Sequence, residues 1–130
     1  IYVHGEPVVF RTPEWDDVYG GRVGALMDQL AAGARRVYWV GQPIMLNPDY
    51  DFKVRYVIGA LRAQAGLRID VRFVDIYDLF GWAPGQYAVE LPDENGNLVV
   101  VRAEDGIHFT YEGAAHLGRY LLELLAAEWG

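Results

Sequence analysis

Residues 36–41 read RVYWVG, with no alternation of polar and apolar side chains after the leading arginine. A strand with one face in water alternates with a period of two. An unbroken apolar run fits a strand covered on both faces, as in a parallel sheet. A second short run, VRFVD at 71–75, has the same β-branched and aromatic character. Each run is preceded by a stretch of helical periodicity, and helix, strand, helix, strand in that order predicts an α/β sandwich with right-handed crossovers.

The first helix has a clear start. Thr12 is suited to the N-cap, Pro13 to the first helical position and Glu14 to the first turn. Trp15, Tyr19, Val23, Leu26, Met27 and Leu30 then recur at helical spacing, and Gly33 supplies a stop. A loop with Pro43 and Pro48 leads to the second pattern: Phe52, Val54, Val57, Ile58, Leu61 and Ala65, ended by Gly66. Downstream the rhythm changes. YAVELPDENGNLVVVRA, at 87–103, alternates around Asn95-Gly96 and predicts a β-hairpin inserted near 87–102. A closing helix follows from about 110 to 127, with Ala114, Leu117, Leu121, Leu124 and Leu125 in one stripe. No internal repeat or low-complexity segment is found.

At 130 residues the chain is long enough for one domain, read as 1–130, and too short for two with proper cores. A formal net charge of −7 argues against nucleic acid and anionic membrane surfaces, which need a basic face. No apolar run is long enough to span a bilayer, and no signal-peptide pattern is present. The absence of cysteine excludes disulfides and thiolate metal sites. The chain opens on Ile1 rather than methionine, which reads as a start that was processed, cut or omitted.

Two parallel strands and a hairpin make a thin sheet for three helices. Strand 36–41 is too apolar to stand as an open edge, since such an edge invites pairing with another chain. Upstream, IYVHGEPVVF is short and interrupted by Gly5 and Pro7, so no neighbour is expected from it. The chain reads as part of a fold.

The stretch AEDGIHFTYEGAAHLGRYLL, at 103–122, holds the residues best suited to chemistry. A catalytic histidine needs a carboxylate on its Nδ1–H, to hold the tautomer and stabilise the imidazolium. Asp105 stands three residues before His108 with Gly106 between, so the carboxylate can curl back onto the ring, and the helix that follows steadies the loop. Asp105 and His108 therefore suit an orienter and a general base. The plainer alternative is a turn aspartate and a surface or packing histidine, because D-x-x-H is short and frequent. The chain contains no serine.

EDGIHFTYEGAAHLGRYLL resembles the last block of the SGNH (GDSL-like) hydrolases, where D-x-x-H before a helix supplies two members of a Ser-His-Asp triad. WVGQPIM, RFVDIYDLF and LPDENGNLVVVRAEDGIHFT, in that order, are similar to the C-terminal half of a poorly characterised, exported bacterial branch of that superfamily. The resemblance covers nearly the whole chain. It implies a three-layer α/β/α sandwich with a parallel, flavodoxin-like sheet, of which this chain is the C-terminal portion. It implies Asp105 and His108 as catalytic residues, with Gln42 and Met45 in a loop lining the substrate pocket. The G-D-S, glycine and G-x-N-D blocks, which supply the family's nucleophile and oxyanion donors, are not found, and Ile1 would begin just after the last of them. A companion N-terminal segment carrying the serine is then the expected partner, and would supply the strands beside 36–41. The function implied is an esterase or O-acyltransferase acting on small esters, such as O-acetyl groups of cell-envelope glycans. Periplasmic or extracellular placement follows from the resemblance alone, and no metal or organic cofactor is implied. A nucleophile-less interaction module is the alternative, and a fragment of a complete hydrolase is a third.

Other candidates have plainer readings. Thr110 fits a helix cap better than a nucleophile. Asn47, Asn95 and Asn97 fit turns or caps. His108, Glu112 and His116 fall at four-residue steps, ligand-like on a continuous helix, but His108 is expected to precede that helix and His116 to be a hydrogen-bonded boundary residue. Asp75 and Asp78 follow a strand end where ligands approach in such sheets, although turn-starting roles are commoner. Ile44 and Met45 are as well explained by inward packing as by a pocket, Tyr38 and Trp39 are expected in the core, and His4 carries no usable signal.

Overall fold

A computed structural model describes all 130 residues, and the expected order of helices and principal strands is present. The protein is an α/β chain of three long helices and small two-stranded sheets. It packs as two units: Ile1–Gln42 with Phe52–Asp75, and Pro43–Asp51 with Ile76–Gly130.

The first unit begins with a hairpin that the sequence reading did not expect. β1 (Tyr2–Val3) pairs antiparallel with β2 (Glu6–Pro7). Gly5 does not interrupt a strand here. It makes the turn together with His4, both in the left-handed region at φ 88° and 51°. Helix α1 (Pro13–Ala32) starts as expected, with Thr12 Oγ1 accepting from the Trp15 N–H at 3.2 Å. β3 (Val37–Val40) and β4 (Val71–Val74) pair in parallel, Val37 opposite Val71 and Val40 opposite Val74. Between them runs α2 (Pro48–Gly66), which begins four residues before the apolar pattern does. Asn47 caps it through Oδ1 on the Tyr50 N–H, and only its first turn belongs to the second unit.

Val23 and Met27 of α1, Leu61 and Ala65 of α2, and Val71 form the core of this unit, with Val37, Trp39 and Phe73 packed against it. Side chains two apart on a strand share a face. Both helices therefore cover the same face of the β3–β4 pair, and this unit has two layers. All four residues of β3 are half-buried, where cover on both faces was expected. The pair has no third strand, so each strand is an edge. Leu26, Leu30 and Phe52, assigned to apolar stripes, are exposed. Asp51 instead heads the buried stripe of α2, in helical step with Val54, Ile58, Leu61 and Ala65.

In the second unit a single 3₁₀ turn (Asp78–Phe80) leads into a small hairpin, β5 (Gly81–Ala83) with β6 (Gln86–Tyr87). The expected hairpin follows as β7 (Glu90–Pro92) and β8 (Leu98–Val100), shorter than 87–102. Its loop is wider than a two-residue Asn-Gly turn. Asp93 Oδ1 accepts the N–H groups of Asn95 and Asn97 at 2.8 and 2.9 Å, and Gly96 takes φ 82°. Those bonds hold the Asp93 carboxyl below the usual carboxylate range, the Asn97 N–H being the main cause.

Helix α3 (Tyr111–Trp129) closes the chain, capped by Thr110 Oγ1 on the Gly113 N–H. Gly113 seats this helix against backbone, because a Cβ there would lie 2.0 Å from the Val101 carbonyl oxygen. Beyond that turn the anticipated stripe is incompletely covered. Leu117, Leu121 and Leu124 are half-buried, while Ala114 and Leu125 are exposed. No helix is long and apolar enough to cross a membrane.

Candidate functional site

The loop between β8 and α3 is closed on itself. The Ala103 N–H donates to the His108 carbonyl at 2.9 Å, and the Gly106 N–H to the Ala103 carbonyl at 3.0 Å. Arg102 and Phe109 form an antiparallel bridge at its base. Gly106 is required twice over: its φ of 69° is left-handed, and an added Cβ would sit 2.3 Å from the Leu46 Cβ.

Within this loop both carboxylate oxygens of Asp105 are engaged. Oδ1 accepts the Ile107 and His108 N–H groups at 2.8 and 3.0 Å. Oδ2 lies 2.6 Å from His108 Nδ1. A carboxylate only accepts, so a ring hydrogen is assigned to Nδ1, and in the neutral ring Nε2 is then the acceptor nitrogen. The bond to the imidazole, then the two backbone N–H groups, hold the Asp105 carboxyl far below the usual carboxylate range. The His108 side chain is 78% exposed and that of Asp105 44%. Chemically, such a pair can present an oriented basic nitrogen to solvent.

The other expected loop, 43–46, is braced beside this one. The Leu46 N–H donates to the Gly106 carbonyl at 3.2 Å, and the Ile44 N–H to the Tyr77 carbonyl at 3.1 Å. The Met45 N–H donates to Asp51 Oδ1 at 2.9 Å, and the Tyr77 hydroxyl to Asp51 Oδ2 at 2.7 Å. Ile44 and Met45 are both buried. Gln42, at the end of the first unit, is half-buried, and its Oε1 is enclosed without a hydrogen-bond partner.

The remaining candidates take structural places. The Thr110 hydroxyl donates to the Val100 carbonyl and caps α3. His116 Nε2 lies 3.2 Å from the Leu79 carbonyl and its ring meets Phe80 edge-on. His108, Glu112 and His116 do not gather around a point. Asp75 is ion-paired with Arg62, and Asp78 accepts the Gly85 N–H in the β5–β6 turn. Trp39 packs on the aliphatic core, and Tyr38 is half-buried on the opposite face of its strand.

Arg102 and Asp51 went unread in the sequence, and both are buried. Each left a trace. Arg102 continues an apolar run, LVVVR, directly ahead of the Asp105 loop, and Asp51 falls in step with the buried face of α2.

An α/β chain with a histidine oriented by an aspartate three residues upstream is the class these features define. The chain matches, over residues 1–124, the family described as a protein of unknown function, DUF459, and belongs to it. No curated protein matches the chain.

Proposed function

We propose that this chain is the base-carrying, C-terminal portion of an SGNH-type serine esterase or O-acyltransferase, folded in the complete protein as a three-layer α/β/α sandwich. The observation that carries the reading is the 2.6 Å contact between Asp105 Oδ2 and His108 Nδ1, with the imidazole open to solvent. The resemblance of four ordered blocks to that superfamily supports it. So does the two-stranded parallel pair, in which each strand is an edge.

In this scheme His108 Nε2 takes the proton of a serine supplied by a companion N-terminal segment. The serine oxygen adds to the ester carbonyl, and external donors hold the resulting oxyanion. Collapse of the intermediate breaks the ester bond, and the imidazolium returns its proton to the departing alcohol oxygen. Water or an acceptor alcohol then takes the acyl group from the serine by the same steps. Asp105 keeps the tautomer and stabilises the imidazolium throughout. The substrates are small esters, including O-acetyl groups of cell-envelope glycans, and the location is periplasmic or extracellular. Gln42 and Met45 line the substrate pocket in this scheme, Gln42 offering a carbonyl oxygen.

The test is fluorophosphonate labelling of the native sample, followed by denaturing intact masses of every polypeptide. A labelled serine-bearing segment, with turnover abolished by His108→Ala in the complete protein, is the expected result. Retained turnover in that variant would overturn the assignment. A second reading, a non-catalytic module that lacks the nucleophile half, is favoured by one observation. Asp105 Oδ1 closes its own loop through two backbone N–H groups, a role that needs no chemistry.

A further inference from the structure

Arg102 is 1% exposed, and its guanidinium makes no ion pair. Burying a cation without a carboxylate is costly, so its partners should explain why it is there. Nη1 donates to the Ile44 carbonyl at 2.6 Å. Nη2 donates to the Ile107 carbonyl at 2.8 Å and the Gly106 carbonyl at 3.3 Å, and lies 3.5 Å from the Met45 sulfur. The Tyr87, Phe109 and Phe80 rings surround the cation at 5.1, 5.4 and 5.8 Å, a cage that partly replaces lost hydration.

The two carbonyls under Nη2 belong to the two peptide groups that link Gly106 to Ile107 and Ile107 to His108. The N–H groups of those same peptides are the ones bound by Asp105 Oδ1. Each peptide is thus held with a cation at its oxygen and a carboxylate at its nitrogen. Rotating either one would break a charge-assisted bond at both ends. The same fork holds loop 43–46 through Ile44. A lysine would offer a single point of attachment, whereas the planar fork reaches both loops at once.

From this arrangement we infer that Arg102 is the positioning residue for the Asp105–His108 pair, acting through the two peptide groups between them. It touches no reacting atom, and its bearing on catalysis rests on the hydrolase reading above. The bracing itself does not.

The first test needs no variant. In the isotope-labelled full chain, a scalar coupling across the hydrogen bond from an Arg102 guanidinium nitrogen to the Ile107 carbonyl carbon is expected, and its absence would overturn the inference. The second compares Arg102→Met and Arg102→Lys, whichever folds by circular dichroism, through the His108 Nδ1 proton resonance. Loss of that resonance in Arg102→Met, with partial return in Arg102→Lys, is expected. An unchanged resonance in either folded variant reduces Arg102 to a core residue. In the complete protein, Arg102→Lys should lower ester kcat by about a hundred-fold with KM little changed, the size of effect a misplaced catalytic group produces. If wild-type protein turns over no ester, the hydrolase reading fails while both resonance tests still judge Arg102.

Discussion

The two units fill their interiors by different means. The first is aliphatic: Val23, Met27, Leu61, Ala65 and Val71 meet with no polar group among them. The second places Arg102 among its most buried side chains, beside Phe80 and Val101. Aliphatic packing rewards volume and is indifferent to direction, so several arrangements of similar side chains fill the same space. A buried guanidinium is satisfied only where carbonyls stand at fixed angles, so it dictates the backbone around it. The candidate site lies in the unit built the second way.

The strongest challenge to this contrast is Met27→Ala, which empties a fully buried position in the aliphatic unit. It should cost about 2–5 kcal/mol in urea unfolding and leave the His108 Nδ1 resonance unchanged. A loss of that resonance would show that the two interiors are not independent. Gly106→Ala is the counterpart in the second unit. The methyl group meets Leu46 and the backbone is left-handed there, so a cost of about 1–3 kcal/mol is expected, together with loss of the Asp105–His108 bond. Stability equal to wild type would mean the loop relaxes freely.

Thr110→Ala should cost about 1 kcal/mol by removing the cap of α3, read as a lower melting temperature. Asp105→Asn sharpens the comparison through pH. The folded-state pKa of Asp105 is depressed, so its stabilisation is present above the ordinary carboxylate value of about 3.9 and fades as pH falls from there toward the folded value. The gap in urea midpoint between wild type and Asp105→Asn should therefore be widest near neutral pH and narrow below about pH 4. A gap that stays constant with pH would mean that the charge of Asp105 contributes nothing to folding. The smallest effect is expected from Asp28→Asn. This breaks the partly exposed pair with Arg68 in the first unit and should leave the melting temperature nearly unchanged.

Local chemistry made much of this readable in advance. Thr12-Pro13, Thr110 and Asn95-Gly96 each act through neighbours a few residues away, and the helix starts and the hairpin follow from them. The spacing of Asp105 and His108 belongs to the same category, since a tight turn with Gly106 puts the two side chains within reach of each other, while the hold on the peptides between them comes from Arg102. The burial of the strands and helices was less legible. β3 has the composition of a covered strand and is half-buried, and α3 carries an apolar stripe that is only partly sealed. Composition states what a segment would bury, and tertiary neighbours decide whether it does.

Caps, turns and the Asp-x-x-His pairing were thus written into short stretches of the chain, because their partners lie within hydrogen-bonding reach along the backbone. The roles of Arg102 and Asp51 were decided only by tertiary structure. Ile44 is 58 residues from Arg102 along the chain, and Tyr77 is 26 from Asp51. No periodicity in a sequence indicates which carbonyls a buried cation will find. Folding settles that: a buried cation without acceptors is costly, and the Ile44, Gly106 and Ile107 carbonyls meet the two terminal nitrogens of Arg102.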